Sequence, residues 1–290
     1  MRVNRGALES LLREGVEVRE KEVRGLTIGG EVEFKDGERQ KGGVVVGADG
    51  VHSTIRKSVL EHSQSQSRSG DFEILPFAVY RGKRRVSPNL FSETAMREGS
   101  TSRKVTSSDG STALLRISID SSPRREKDEI DISYTYSRPA KGRSDPLFRP
   151  DRAKNEAREI PEALFEEVDT LKAQLEEPFA SVFSASAMRG DGLLHWLMRT
   201  LSVEQEVLEA AAREKGVVFV GEAAHAEPIL GGLGANEAIE DAMVLADFLV
   251  ENGEDGLEKF YALRKREWDR GVEASRVRIA EMHGVPHANL

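Results

Sequence analysis

The chain has 290 residues with 42 basic against 50 acidic, a net charge of −8 that argues against a general affinity for nucleic acid or anionic membranes. It contains no cysteine, which excludes disulfides, thiolate catalysis, iron–sulfur clusters and cysteine zinc sites. The length permits one or two domains. No apolar run approaches the roughly twenty residues of a bilayer span, and the first residues lack a signal-peptide pattern, so a cytoplasmic protein is expected.

In chain order, residues 2–12 read as an opening helix with Arg5 near its start. Alternating stretches at 16–19, 22–28 and 31–34, ending at Asp36-Gly37, predict a small antiparallel meander. A buried-type strand at 44–46 leads through Gly47-Ala48-Asp49-Gly50 to a helix over 54–60, with Ser53 placed to cap it. The polar segment 62–70 reads as a loop or a domain crossing. From Phe72 to about Arg189 the runs suit strands, notably 74–80, 114–119 and 130–136. The basic run Arg81-Gly82-Lys83-Arg84-Arg85 is expected in a solvated loop, and the charged stretch 141–158, with two prolines, as a mobile connector. A helix over 161–175 buries Leu164, Phe165, Val168, Leu171 and Leu175.

The most informative stretch follows. The apolar run 217–220, expected as a central parallel strand, leads into Gly221-Glu222-Ala223-Ala224-His225-Ala226-Glu227-Pro228, then Gly231-Gly232-Leu233-Gly234, then a helix over 236–251. A strand, a glycine loop and a helix start in that order gather backbone N–H groups and a positive helix end at one spot, which suits polar ligand oxygens. In that helix Ile239, Met243, Ala246, Leu249 and Val250 are expected to face the core, with Asp241 at the helix surface or against the neighbouring strand. A last helix runs over 257–281. Of the six histidines only the tail pair, His283 and His287, has ligand-like spacing; that tail is expected to be disordered, and no metal is assigned.

The stretch 221–242 resembles the second flavin-contacting motif of the class A flavoprotein aromatic hydroxylases, the group that includes p-hydroxybenzoate and salicylate hydroxylases. That pattern runs Gly-Asp-Ala-Ala-His, a Pro, Gly-x-Gly, then a helix with Glu-Asp-Ala, and Glu222 stands where the family has Asp. Residues 44–56 resemble the Asp-Gly motif of the same enzymes, and the opening helix resembles the segment that carries a flavin-facing arginine. The resemblance implies an α/β fold: an incomplete FAD-binding Rossmann-like domain (1–70 and 190–290), an inserted antiparallel-sheet substrate domain (71–189) and C-terminal helices. It implies that Arg5, Asp49, Gly50, Glu222, Pro228, Gly232, Leu233, Gly234 and Asn236 contact FAD. It assigns no catalytic residue, and His225 would mainly shape its loop. Tyr80, Arg81, Tyr134 and Tyr136 could line a substrate pocket or be ordinary sheet faces.

The implied activity is an FAD-dependent monooxygenase in which NAD(P)H-reduced flavin hydroxylates a small aromatic or polyketide-like substrate. The family's Gly-x-Gly-x-x-Gly turn is not in this sequence. Expected, therefore, is a fragment, a shortened gene model or a truncated protein that holds FAD weakly or not at all, with a tendency to self-associate and a possible N-terminal partner fragment. The alternative is a non-catalytic remnant or interaction protein that keeps the flavoprotein scaffold.

Overall fold

A computed structural model describes residues 5–62, 72–107, 109–120 and 129–286. The loop read at 62–70 therefore lies outside the described residues except for His62 itself, as do His287 and the side chain of Arg5. In chain order the elements are α1 (Arg5–Leu12), β1 (Val23–Leu26), β2 (Val32–Phe34), β3 (Arg39–Gln40), β4 (Val45–Gly47), α2 (Thr54–His62), β5 (Glu73–Ile74), β6 (Phe77–Val86), α3 (Glu93–Glu98), β7 (Ser100–Thr106), β8 (Thr112–Ile119) and β9 (Ile130–Pro139). There follow α4 (Glu162–Leu171), α5 (Phe179–Val182), α6 (Ala185–Met188), β10 (Leu194–Trp196), β11 (Arg199–Ser202), α7 (Gln205–Lys215), β12 (Val217–Phe219), β13 (His225–Ala226), α8 (Gly234–Asn252) and α9 (Lys259–His283). The chain divides into two compact units, a first of Met1–Glu17, Pro76–Met198 and Ala280–Leu290, and a second of Val18–Leu75 and Arg199–Ile279.

The first unit is built on a five-stranded antiparallel sheet of order β10-β6-β9-β8-β7. One face carries Tyr80, Leu115, Ile117, Ile132, Tyr134 and Tyr136, which cluster with Leu164, Phe165, Val168 and Leu171 of α4 and Phe179 and Val182 of α5. All five residues of the stripe read for the helix over 161–175 are buried, although the α-helix ends at Leu171 and a single 3-10 turn, Lys172–Gln174, completes it.

Four expectations change here. The strand read at 74–80 is broken after Ile74, because Pro76 has no N–H to give a ladder; β5 pairs with β11 in the second unit instead. The basic run is part of β6 rather than a loop. Its long stems lie along the sheet while their heads find partners, Arg84 on Asp191 and Arg81 over the Trp196 ring at 4.7 Å. The connector 141–158 is tied down by a buried carboxylate: Asp145 accepts from Arg138 Nη1 at 2.5 Å, from Arg138 Nη2 at 3.0 Å and from the N–H groups of Lys141 and Leu147. Tyr80 adds a bond from its hydroxyl to the Leu147 carbonyl at 3.0 Å. His283, expected in a disordered tail, closes α9 instead, where its buried ring meets Ser137 Oγ at 2.9 Å and packs on Phe77.

In the second unit β1, β2 and β3 form the expected meander, while residues 16–19 add no strand to it. β12 pairs with β4 in parallel register, Val217 with Val45 through Phe219 with Gly47. It is parallel as expected but not central, since among the described residues β4 is its one partner. Its burial comes from other layers: Val217, Val218 and Phe219 cluster with Leu208 and Ala211 of α7, Leu245 of α8 and Phe260 and Trp268 of α9. α7 was not among the helices expected from the sequence.

α8 turns a different face inward from the one expected. Ile239, Met243, Ala246 and Val250 are exposed, and the buried residues are Asp241, Leu245 and Phe248, with Leu249 half-buried. The physical reason is Asp241, whose charge is better satisfied inside the unit than the apolar stripe is.

Candidate functional site

The turn after β4 and the loop after β12 lie side by side, within the second unit. Val220 N donates to Gly47 O at 3.1 Å, extending the strand pairing past the end of β12. The buried Arg56 guanidinium then joins the turn to the loop, donating to Val51 O and to Ala223 O at 2.6 Å each. Gly50, at φ +79°, sits so close that a Cβ placed on it would be 4.0 Å from Glu222 Oε2. Asp49 and Ser53 cap α2: Asp49 Oδ2 accepts from Thr54 N at 2.6 Å and Ile55 N at 3.2 Å, and Ser53 Oγ accepts from Arg56 N at 2.9 Å. Sequence reading foresaw the Ser53 cap but not that Asp49 shares the task.

Behind the loop runs one face of α9, with Arg264, Trp268, Gly271, Ser275 and Arg278 at helical spacing. Its anchor is Asp241, fully buried, which accepts from Gly221 N, His225 Nε2 and Arg264 Nε at 2.8 Å each and from Trp268 Nε1 at 2.6 Å. Burial alone would raise the Asp241 carboxyl, but the bonds from His225, Gly221 and Trp268 outweigh it and hold the group below the usual carboxylate range. His225 stacks on Trp268 with centroids 4.6 Å apart. Buried and bonded in this way, it fixes the loop and is not placed as a general base. Farther along, Ser275 Oγ donates to the buried Glu227 Oε2 at 2.7 Å, and Arg278 Nη1 donates to Gly231 O at 2.8 Å. A Cβ on Gly231 would lie 2.5 Å from Ser275 Oγ, so glycine is required there. Asp241, Arg264, Trp268 and Glu227 were missed as a constellation; the helical spacing along α9 was the signal that could have found the face.

The front of the loop is open. Among the described residues no side chain caps α8 at Leu233, which leaves first-turn N–H groups directed outward. A Cβ at Gly232, where φ is +79°, or at Gly234 would meet nothing within 4 Å. Glu222 and Asn236 are exposed beside this opening, while Pro228 is buried and shapes the loop. An uncapped helix N-terminus, a bare glycine cradle and a carboxylate at its rim fit a cofactor with phosphate and polyol oxygens. α1, which carries Arg5, belongs to the other unit. The tyrosines of the sheet are core residues: Tyr134 and Tyr136 hydrogen-bond to Asp191 and Glu167, and burial raises the hydroxyl pKa of both and of Tyr80.

Comparison with known proteins gives a consistent family. A family model described as FAD binding domain matches residues 12–261. The chain is 33% identical over 261 residues to the FAD-dependent monooxygenase aptC of Emericella nidulans, covering 87% of this chain and 58% of that protein. It is 32% identical over 255 residues to the FAD-dependent monooxygenase vrtH of Penicillium aethiopicum, covering 86% of this chain and 58% of that protein. The chain thus spans a little over half the length of these relatives. Among solved structures it is similar to Pseudomonas aeruginosa PqsL in complex with 2-aminobenzoylacetate, with TM-score 0.61, 19% identity, 98% of this chain and 69% of that one. It is also similar to Klebsiella pneumoniae HpxO complexed with FAD and uric acid, with TM-score 0.58, 18% identity, 98% of this chain and 65% of that one.

Proposed function

Since the chain belongs to the FAD-binding-domain family of FAD-dependent monooxygenases, we propose that it supplies the ribityl- and pyrophosphate-facing part of a flavin site in an NAD(P)H-reduced monooxygenase acting on a small planar organic substrate. The observation that carries this reading is the meeting of the Asp49-Gly50 turn with the loop 221–236 at an uncapped helix start. FAD held there would supply the redox chemistry that such an enzyme needs.

The chain's own residues hold and orient. Gly232, Leu233 and Gly234 let the backbone approach the cofactor, and the α8 N–H groups with Asn236 meet its oxygens. Glu222 accepts from ribityl hydroxyls, Gly50 keeps the neighbouring turn close, and Pro228 stiffens the loop edge. Asp49 holds the α2 start beside the site, and Arg5 is assigned to the cofactor through the family motif. In this reading residues 1–70 and 190–290 form the FAD side and 71–189 the substrate side; the unit boundaries near 75 and 198 support it, whereas residues 1–17 and 280–290 group with the sheet-bearing unit. A small planar substrate is supported by the ligands crystallised with the two similar structures, and cytoplasmic placement by the need for NAD(P)H. No observation favours the non-catalytic alternative.

Titrating the purified chain with FAD while following quenching of flavin fluorescence tests the site. Saturable quenching with a dissociation constant of tens to hundreds of micromolar is expected, about 5–6 kcal/mol of binding. Gly232→Val, which crowds the cradle, should abolish it. Absence of quenching up to about 1 mM FAD, or quenching indifferent to Gly232→Val, would overturn the reading.

A further inference from the structure

In the second unit β11 lies between β13 and β5. Its register sets Leu201 against Ala226 and Ser202 against His225 on one side, and Thr200 against Glu73 on the other. One step further along the β13 register Glu227 falls opposite Thr200, so Glu73, Thr200 and Glu227 form a row on one face. That face packs on α9, where Ser202 donates to Asp269, Arg276 to Glu73 and Ser275 to Glu227. Thr200 is only 2% exposed and Glu227 only 5%. Glu227 Oε2 takes the Ser275 hydroxyl at 2.7 Å, but among the described residues neither Glu227 Oε1 nor Thr200 Oγ1 has a hydrogen-bond partner. Two buried, unanswered oxygens thus share a row in which opposite Cβ atoms stand about 5 Å apart, close enough for one small particle to meet both.

Glu227 also lacks a counter-charge. Of the cations on α9, Arg264 is shared by Asp241, Glu237 and Glu240, Lys265 holds Asp269, Arg276 holds Glu73, and Arg278 donates to the Gly231 carbonyl. The Glu237 carboxyl lies above the usual carboxylate range, raised first by burial and further by Glu240 and Glu227 against the lowering by Arg264. Bare backbone fills the α9 side of the Glu227 carboxylate, since a Cβ on Gly271 would lie 2.5 Å from Oε1. A buried carboxylate with one neutral donor is costly unless a positive charge meets it. We infer that Glu227 Oε1 and Thr200 Oγ1 hold a monovalent alkali cation, sodium or potassium, which ties the stem of the loop 227–236 to β11. Such ions are hard and take oxygen donors, and one carboxylate beside a hydroxyl supplies the single negative charge that a monovalent ion needs. A divalent ion calls for more carboxylates, and no group of three acids or histidines placed to hold a metal occurs among the described residues.

Thermal unfolding of the whole chain, followed by circular dichroism without FAD, tests the site independently of the flavin reading. N-methyl-D-glucamine chloride is replaced stepwise by NaCl or KCl at constant ionic strength, which holds general screening fixed. At least one alkali salt at about 100 mM is expected to raise the midpoint by about 3 °C, saturating with concentration, as mass action requires of a ligand at about ten times its dissociation constant. Thr200→Val and Glu227→Gln should lose this rise, and Thr200→Ser, which keeps the hydroxyl, should retain it. In the organic salt Thr200→Val should melt no lower than the wild type, because the hydroxyl it removes has no partner within the protein. For the same reason this variant decides the matter if Glu227→Gln fails to fold. Equal midpoints in the three chlorides overturn the proposal, as does a rise that survives in Thr200→Val. A loss of stability in Thr200→Val that is the same in every salt points to a bridging water and overturns it too.

Discussion

Replacing Asp241 tests whether the loop is held from behind. Its Oδ1 accepts from Arg264 and Trp268 and its Oδ2 from Gly221 and His225, at distances of 2.6 to 2.8 Å. Asp241→Asn is nearly isosteric, but one of its two ends becomes a donor. Turned toward Oδ1 the amide opposes both Arg264 and Trp268. Turned toward Oδ2 it can satisfy His225 by a change of tautomer and still opposes Gly221 N–H. One or two buried donors are lost in either orientation, at about 1–3 kcal/mol each. Asp241→Ala removes all four bonds and leaves Arg264 with Glu237 and Glu240, so about 3–5 kcal/mol is expected.

Urea unfolding measures both variants, with the midpoint falling and the slope unchanged. The acid limb supplies a second check. Asp241's folded pKa is depressed, so its contribution is present above the unfolded carboxylate value near 4 and is lost as pH falls through the lower folded value. The wild-type chain should therefore lose more stability than Asp241→Asn below about pH 4. A loss under about 1 kcal/mol for Asp241→Ala at neutral pH would refute the claim that this carboxylate anchors the loop.

Asp145→Ala should cost about 3–5 kcal/mol by leaving the Arg138 guanidinium buried beside Glu167 alone, and should render 141–158 sensitive to limited proteolysis; an unchanged cleavage pattern counts against the anchor. All four tyrosines have hydroxyls pushed upward, chiefly by burial, so tyrosinate absorbance should appear in one step with alkaline unfolding. Their contribution is whole below the unfolded value near 10 and declines as pH rises toward the folded values; a gradual tyrosinate titration in the folded chain contradicts it. Gly231→Ala should displace the loop and cost about 2 kcal/mol or more, against about 1 kcal/mol for Gly232→Ala, where only the positive φ resists; thermal melts showing the reverse order would disprove the packing argument. Glu222→Asp should tighten FAD retention or leave it unchanged, and a clear loss in the fluorescence titration would show a site adapted to the longer acid.

The sequence by itself determined what depends on neighbours along the chain. The parallel strand, the glycine loop and the helix start at 217–236, the meander, the Ser53 cap and the stripe from Leu164 to Leu175 follow from local propensity and periodicity, and the two motifs together identify the flavoprotein family. What tertiary structure decided is where the charges go. Periodicity alone turned Ile239 and Met243 of α8 inward, because an apolar pattern credits apolar burial and cannot see that Asp241 finds four donors inside, two from the loop before α8 and two from α9. The same blindness made a connector of 141–158, where Asp145 meets Arg138, and a loose tail of His283, which packs against Phe77. A polar side chain is buried only when distant residues satisfy it, and the identity of those residues is a property of the fold, not of the local sequence.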